Sequence, residues 1–333
     1  MPAILALLLV VSAGGSSLAE AADRRASSVA GKLIREYGGN WSTTPQAVNN
    51  RGEIAGYAVL FAEEDEEDGE WVAFIRSAAG RYQPIANRGY VFDMNEKSEV
   101  VGIIFPADES GWLEGFVWSR RRGLQNLGSF LPFSINARSD MAGVCEPPSG
   151  LRQACLMRDG VVSVIPDADE ARGINRAGTV VGTYGDNRAF RLSPNWRFTD
   201  IGRAVAEDIN NHGVIGGHRW MEIPGRGERA VVTAWTRRGV RSPGDVGLGL
   251  AISDHGWMIS IAWRVGDDGG EESYCFAWNS TTNARVTLTS RTGGFVLPEA
   301  INDHGLIVGT ADGRPIVWRL RAKSGSRKDV DHD

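Results

Sequence analysis

One motif recurs seven times along the chain, and its period leaves few folds open. The segments AVNNRGEIAG (47–56), DMNEKSEVVG (93–102), SINARSDMAG (134–143), GINRAGTVVG (173–182), DINNHGVIGG (208–217), AISDHGWMIS (251–260) and AINDHGLIVG (300–309) align on one anchor position. Asn49, Asn95, Asn136, Asn175, Asn210, Ser253 and Asn302 hold it, at a mean spacing of about 42 residues. That is the length of a four-stranded propeller repeat. Each motif leads into a second apolar run: VAFIR, GFVWS, ACLMR, AFRLS, VTAWT, CFAWN or PIVWR. A turn and a third short run follow. Short apolar segments bounded by turns read as strands, so each repeat is expected to hold four. Glycine supplies 42 of 333 residues, nearly twice the average share, which fits a chain with many tight turns.

The seventh repeat stops at PIVWRL, without its fourth strand. Before the first anchor lies GKLIREYGG (31–39), which resembles an isolated fourth strand. A chain that opens with the strand its last repeat lacks can close into a ring and so shield its sheet edges. The expected architecture is an all-β, seven-bladed β-propeller over residues 30–321, closed by an N-terminal strand. The alternative is an open β-solenoid, which would need capping repeats instead. Residues 322–333 are expected to form a disordered tail.

The stretch Ala3–Val11 is apolar but too short to span a bilayer, and Ala19-Glu20-Ala21 fits a small-residue cleavage site. Residues 1–21 are therefore expected to be a signal peptide, although no basic residue precedes Arg24. The mature chain would be periplasmic or extracellular, with no transmembrane segment. Export makes a disulfide possible between Cys145 and Cys155, which could face each other across a hairpin; the alternative is two small buried thiols. Cys275 reads as a core residue. The net charge of -5 and the lack of a basic stripe speak against nucleic acid.

The units resemble the bacterial HAF-family extracellular repeat. The matching features are the INxxGxVVG stretch, the AFxW-like strand, and a DLG-like end at Leu127-Gly128 and Asp200-Ile201-Gly202. The histidine of that family's His-Ala-Phe triplet is missing; Ala73-Phe74 and Ala189-Phe190 come closest. Repeat 6 also departs, with Ser253 at the anchor and Ser260 in place of the final glycine. The resemblance implies export and β structure. It transfers no catalytic residue.

Asp254-His255 and Asp303-His304 look like catalytic pairs, but recurrence argues for a turn. His212, His255 and His304 all stand just before the turn glycine and are expected at divergent turn tips. His218 is the one other histidine in the repeat region, and one residue makes no site. No metal, cofactor or catalytic residue is expected. The acidic runs 63–70 and 266–272 lack EF-hand spacing and read as solvated loops. Arg120 to Arg122 and Arg237-Arg238 read as surface charge.

The distance from the anchor to the Trp position of the third strand varies between 16 and 27 residues, while the turn after the anchor is constant. One face of a ring would thus be uniform and the other variable, and variable loops carry function. Trp112, Trp220 and Trp263 fall in or beside these loops, as candidate contacts to sugar or protein, or packed beneath their own loops. Trp118, Trp235, Trp278 and Trp318 occupy the repeat position and read as core. The function expected is a non-catalytic, monomeric binding or scaffold module for an extracellular protein or glycan. The alternative is a polysaccharide hydrolase or lyase with its site at the channel mouth.

Overall fold

The computed structural model describes residues 27–38, 41–60, 70–105, 112–146, 152–266 and 270–320. The expected signal peptide, the expected disordered tail and most of the acidic runs lie outside the described residues. Every regular element described is a strand. Repeats 1, 2 and 3 each form a four-stranded antiparallel meander, opening on Ser42–Val48, Gly89–Met94 and Phe130–Ile135. Repeats 4 and 5 share a seven-stranded sheet. Its middle strand, Phe198–Ile209, is fourth in repeat 4 and first in repeat 5. Repeat 6 opens on Gly247–Ile252 and repeat 7 on Val296–Ile301.

The N-terminal segment laces the last two repeats together. Ser27–Ala30 adds in parallel to Arg285–Thr289, the outer strand of repeat 6. Lys32–Leu33 adds antiparallel to Arg314–Arg319 of repeat 7, with Lys32 opposite Val317 and Leu33 opposite Ile316. Tyr37 then stacks on Phe74 and meets Tyr82 edge-on, both in repeat 1. The first strands of successive repeats touch in cyclic order, and that of repeat 7 touches that of repeat 1. Residues from all seven of these strands line one cavity, which marks the axis.

One device repeats in every first strand. The register slips at the residue three before the anchor, so Gln46, Phe92, Phe133, Arg172, Glu207, Leu250 and Glu299 are bulged. The bulge drives a carbonyl toward the second strand and explains the final glycine of the motif. A Cβ on Gly56, Gly102, Gly143, Gly182, Gly217 or Gly309 would lie 1.9–2.2 Å from that oxygen. Ser260 replaces this glycine in repeat 6; its hydroxyl is buried without a partner, and nothing in the structure explains it.

The turn glycine has a different cause. The residue three after the anchor has positive φ in all seven repeats, from 59° at Ser98 to 81° at Gly178. In repeats 2 and 3 a serine accepts that conformation. Its hydroxyl repays the strain by donating to the preceding repeat: Ser98 to Glu53 and Ser139 to Glu99, both at 2.5 Å. Third strands carry much of the core, where Phe74, Phe116, Phe190, Phe276, Trp278 and Trp318 are fully buried. Trp118 is buried too, but Trp235 is only half-buried, contrary to its repeat position.

Candidate binding surface

At one mouth of the axis the anchors join the repeats to each other. Each asparagine closes its own turn through Oδ1; Asn136, for example, accepts the N–H groups of Arg138 and Asp140 at 2.8 and 3.0 Å. Its Nδ2 crosses to the next repeat. Asn95 donates to Asn136 O, Asn136 to Asn175 O, Asn175 to Asn210 O, Asn210 to Ser253 O and Asn302 to Asn49 O, at 2.8–3.1 Å. The series is interrupted after Ser253, which has no amide, and after Asn49, whose Nδ2 turns to Glu53.

The neighbouring residues form a second series, and it decides the Asp-His question. Asp303 accepts from the Asp254 N–H at 2.7 Å and from Asn50 Nδ2 at 2.8 Å, and Asp254 accepts from the Asn211 N–H at 2.7 Å. The carboxylates thus serve the inter-repeat joint. The turns gather around the axis rather than splaying outward as the sequence suggested, because the anchors lie on innermost strands. His212, His255 and His304 remain exposed. Among the described residues, no group of three His, Cys, Asp or Glu side chains is placed to hold a metal ion.

The opposite mouth, where second-to-third and fourth-to-first connections meet, differs around its circumference. Repeats 1–3 contribute a continuous arc of rings. Trp71 stacks on Tyr57 at 5.1 Å, Tyr57 on Tyr90 at 4.5 Å, Tyr90 meets Phe92 at 5.0 Å and Phe92 meets Phe133 at 5.1 Å. Phe105 and Leu113 pack against the same cluster. All but Tyr57 are half-buried. Across the axis, Arg172 pairs with Glu170 and Glu207 at 2.6 and 2.7 Å. Buried His218 stands close by; burial lowers its pKa, and its Nδ1 has no hydrogen-bond partner among the described residues.

Two carboxyls, Glu299 near this mouth and Glu53 beside the anchor turns, give stability opposite pH dependences. Burial alone raises Glu299, in repeat 7, to about 8. Its folded pKa lies above its unfolded one, so its contribution is intact below about pH 4.5 and is lost as pH rises through 8. Glu53 is the reverse case. Burial pushes it up, but hydrogen bonds from Ser98, Asn49, Arg120 and Arg51 outweigh that and bring it to about 2. Its contribution is present above pH 4.5 and is lost as pH falls toward 2. Glu299→Gln is therefore expected to flatten the decline between about pH 4.5 and 8, raising stability at pH 9 by about 2 kcal/mol once its partial exposure is allowed for. Urea unfolding of both proteins from pH 5 to 9 checks it. Glu53→Gln should instead lose its difference from the parent only below pH 4. Arg120 thus does more than carry surface charge: its guanidinium meets Glu53 at 2.8 Å.

The three candidate tryptophans have separate fates. Trp112 is half-exposed, next to Leu113 at the rim of the aromatic arc. Trp220 and Trp263 are not loop residues. Repeats 5 and 6 use their extra length to lengthen paired strands, Ile215–Ile223 with Gly227–Thr236 and Trp257–Val265 with Glu271–Asn279. Trp220 sits half-buried edge-on to His218, and Trp263 packs against the core of repeats 6 and 7. Of the two alternatives the sequence leaves, contact or packing, both side chains are packed. Cys145 and Cys155 lie diagonally across adjacent strands, Cα atoms 5.7 Å apart, and are joined as a disulfide. Reduction is expected to cost about 2–3 kcal/mol for so short a loop, read as a lower unfolding midpoint with reductant than without. Cys275 is buried and free.

No helix among the described residues is long and apolar enough to cross a membrane. No family model and no curated protein sequence matches the chain. Similarity appears among solved structures. One is the β-propeller domain of the Trilobed protease from Pyrococcus furiosus, described as having an open velcro topology: TM-score 0.58 and 10% identity, over 83% of this chain and 95% of that one. Another is the acylaminoacyl peptidase of Pyrococcus horikoshii: TM-score 0.56 and 9% identity, over 86% of this chain. The chain spans 53% of that peptidase's length. At such identities the likeness carries the fold alone: the chain is an all-β protein with the β-propeller fold.

Proposed function

We propose that the chain is a seven-bladed propeller, closed by Lys32–Leu33, that works as an exported, non-catalytic binding module of the HAF-repeat kind. Its ligand is an extracellular protein or glycan, taken at the mouth formed by the variable connections. The aromatic arc from Trp71 to Phe133 carries this reading. Five contiguous rings, four of them half-buried at a channel mouth with Trp112 on the rim, offer flat apolar area with little side-chain entropy to lose. A glycan-array and pull-down screen of the full chain tests it, with Trp112→Ala and Phe92→Ala as controls. The expected result is a ligand whose affinity falls at least about ten-fold in both variants. A ligand indifferent to both would overturn the assignment to this mouth.

A second reading, a polysaccharide hydrolase or lyase, draws on one observation. Glu299 is a carboxyl near that mouth with its pKa raised to about 8, as a general acid requires. Turnover of a captured glycan that disappears in Glu299→Gln would favour this reading over the first.

A further inference from the structure

An open cleft of roughly 610 Å³ lies between repeats 4 and 5, on the face opposite the variable connections. Arg191, Arg197, Asn195, Thr199, Trp235 and Arg237 are among the residues lining it. Ten of the 28 arginines among the described residues pair with carboxylates and eighteen do not, and this cleft gathers three of the eighteen. Arg191, Arg197 and Arg237 make no ion pair there, although they share one concavity in a protein of net charge -5. Three like charges without counter-charge weaken a fold slightly and favour an anion.

Local structure sets these groups in place. Arg191 is the outward residue between buried Phe190 and Leu192. The turn that follows is tied at both ends, by Ser193 N–H to Arg197 O at 3.0 Å and Arg197 N–H to Ser193 Oγ at 3.1 Å. At its tip Trp196 holds φ +64° and is 44% exposed. A bulky side chain in the left-handed region is strained by about 1–2 kcal/mol, and such strain gathers at functional positions. On the opposite wall stands Trp235, the repeat-position tryptophan that is not buried. Phe198–Ile209, the strand shared by the two repeats, contributes Thr199 and Ile201 to the lining.

We propose that this cleft binds an acidic oligosaccharide, its carboxylate or sulfate groups held by Arg191, Arg197 and Arg237 and one sugar ring stacked on Trp235. A guanidinium fork can meet two oxygens of a carboxylate or of a tetrahedral oxyanion at once. The indole supplies the apolar face a sugar ring needs, while Asn195 and Thr199 can meet hydroxyls. The volume lies in the range of small-ligand sites. The cleft is separate from the aromatic mouth, and the proposal does not depend on that reading.

The test is calorimetric titration of the full chain with trimannuronate, a heparin tetrasaccharide, neutral mannotriose, sodium sulfate and a short oligo-dT. The expected result is saturable binding of at least one acidic sugar, about ten-fold or more tighter than mannotriose and weakened by added salt. Which of the two binds tells carboxylate from sulfate. The Arg191→Gln/Arg197→Gln/Arg237→Gln variant should lose that affinity at unchanged unfolding temperature. Should it fold poorly, Arg237→Glu on the exposed turn must alone weaken binding about five-fold. The proposal is overturned by no binding of either acidic sugar, by equal affinity for mannotriose, by tighter binding of sulfate ion or oligo-dT, or by variants that bind like the parent.

Discussion

Asn136→Ala is expected to destabilise the fold by about 3–5 kcal/mol, more than most single substitutions in a protein of this size. The side chain is 4% exposed and makes four hydrogen bonds. It donates to Asn175 O at 3.0 Å and Asp140 Oδ2 at 2.9 Å, and it accepts from Arg138 and Asp140. Truncation leaves buried partners unsatisfied, at about 1–3 kcal/mol each before relaxation. Asn136→Asp keeps the acceptor but removes the donor and sets a second carboxylate beside Asp140, so it should fare little better. Repeat 6 offers the converse. Ser253→Asn restores an amide able to reach Asn302 O and is expected to stabilise by about 1 kcal/mol. Denaturant unfolding of the three variants checks the set. A loss below 1 kcal/mol in Asn136→Ala would show that the inter-repeat amides are incidental.

Half of the anchor's role is legible in the sequence. An asparagine three residues before a glycine announces a self-bonded turn, and every repeat but the sixth has such a turn, with Ser in the glycine position of repeats 2 and 3. The other half, the amide bond to the next repeat, is set by how repeats pack and has no signature within one unit. The same limit governs the Asp-His pairs: recurrence shows that they are turns, but only the fold shows Asp303 serving Asp254 and Asn50. The bulge at Glu299 and Phe92 escapes period-two reading because it is a one-residue slip in strands of six. It left a trace in the final glycine, whose missing Cβ makes room for the displaced carbonyl. The spacing around Trp220 and Trp263 cannot tell a longer loop from longer paired strands, and the structure holds the longer strands. The cleft beside Trp235 was hidden for a related reason. Alignment treats repeats 4 and 5 as separate units, and Phe198–Ile209 merges them.

Deleting residues 27–34 is expected to lower stability by at least about 3 kcal/mol and to make the protein self-associate. The segment covers two edges at once. Without it, Arg285–Thr289 loses its parallel neighbour and Arg314–Arg319 loses its only outer partner among the described residues. The Gly31 N–H to Thr289 O bond at 2.8 Å and the Ile34 N–H to Pro315 O bond at 3.0 Å go with it. Two exposed edges on neighbouring repeats are a template for pairing with another molecule. Gly31→Val tests the same joint without a deletion. A Cβ there would lie 2.5 Å from Ile316 and 2.7 Å from Trp318, so the larger side chain must push the segment off the sheet. Thermal unfolding and sedimentation of both variants give the readout. The competing view is that the Asn302–Asn49 and Asp303–Asn50 bonds hold repeat 7 to repeat 1 unaided. On that view both variants would melt with the parent and stay monomeric. Those bonds, however, join the repeats only at the axis. The outer strands of repeats 6 and 7 have no other described cover, so loss at the rim should propagate inward.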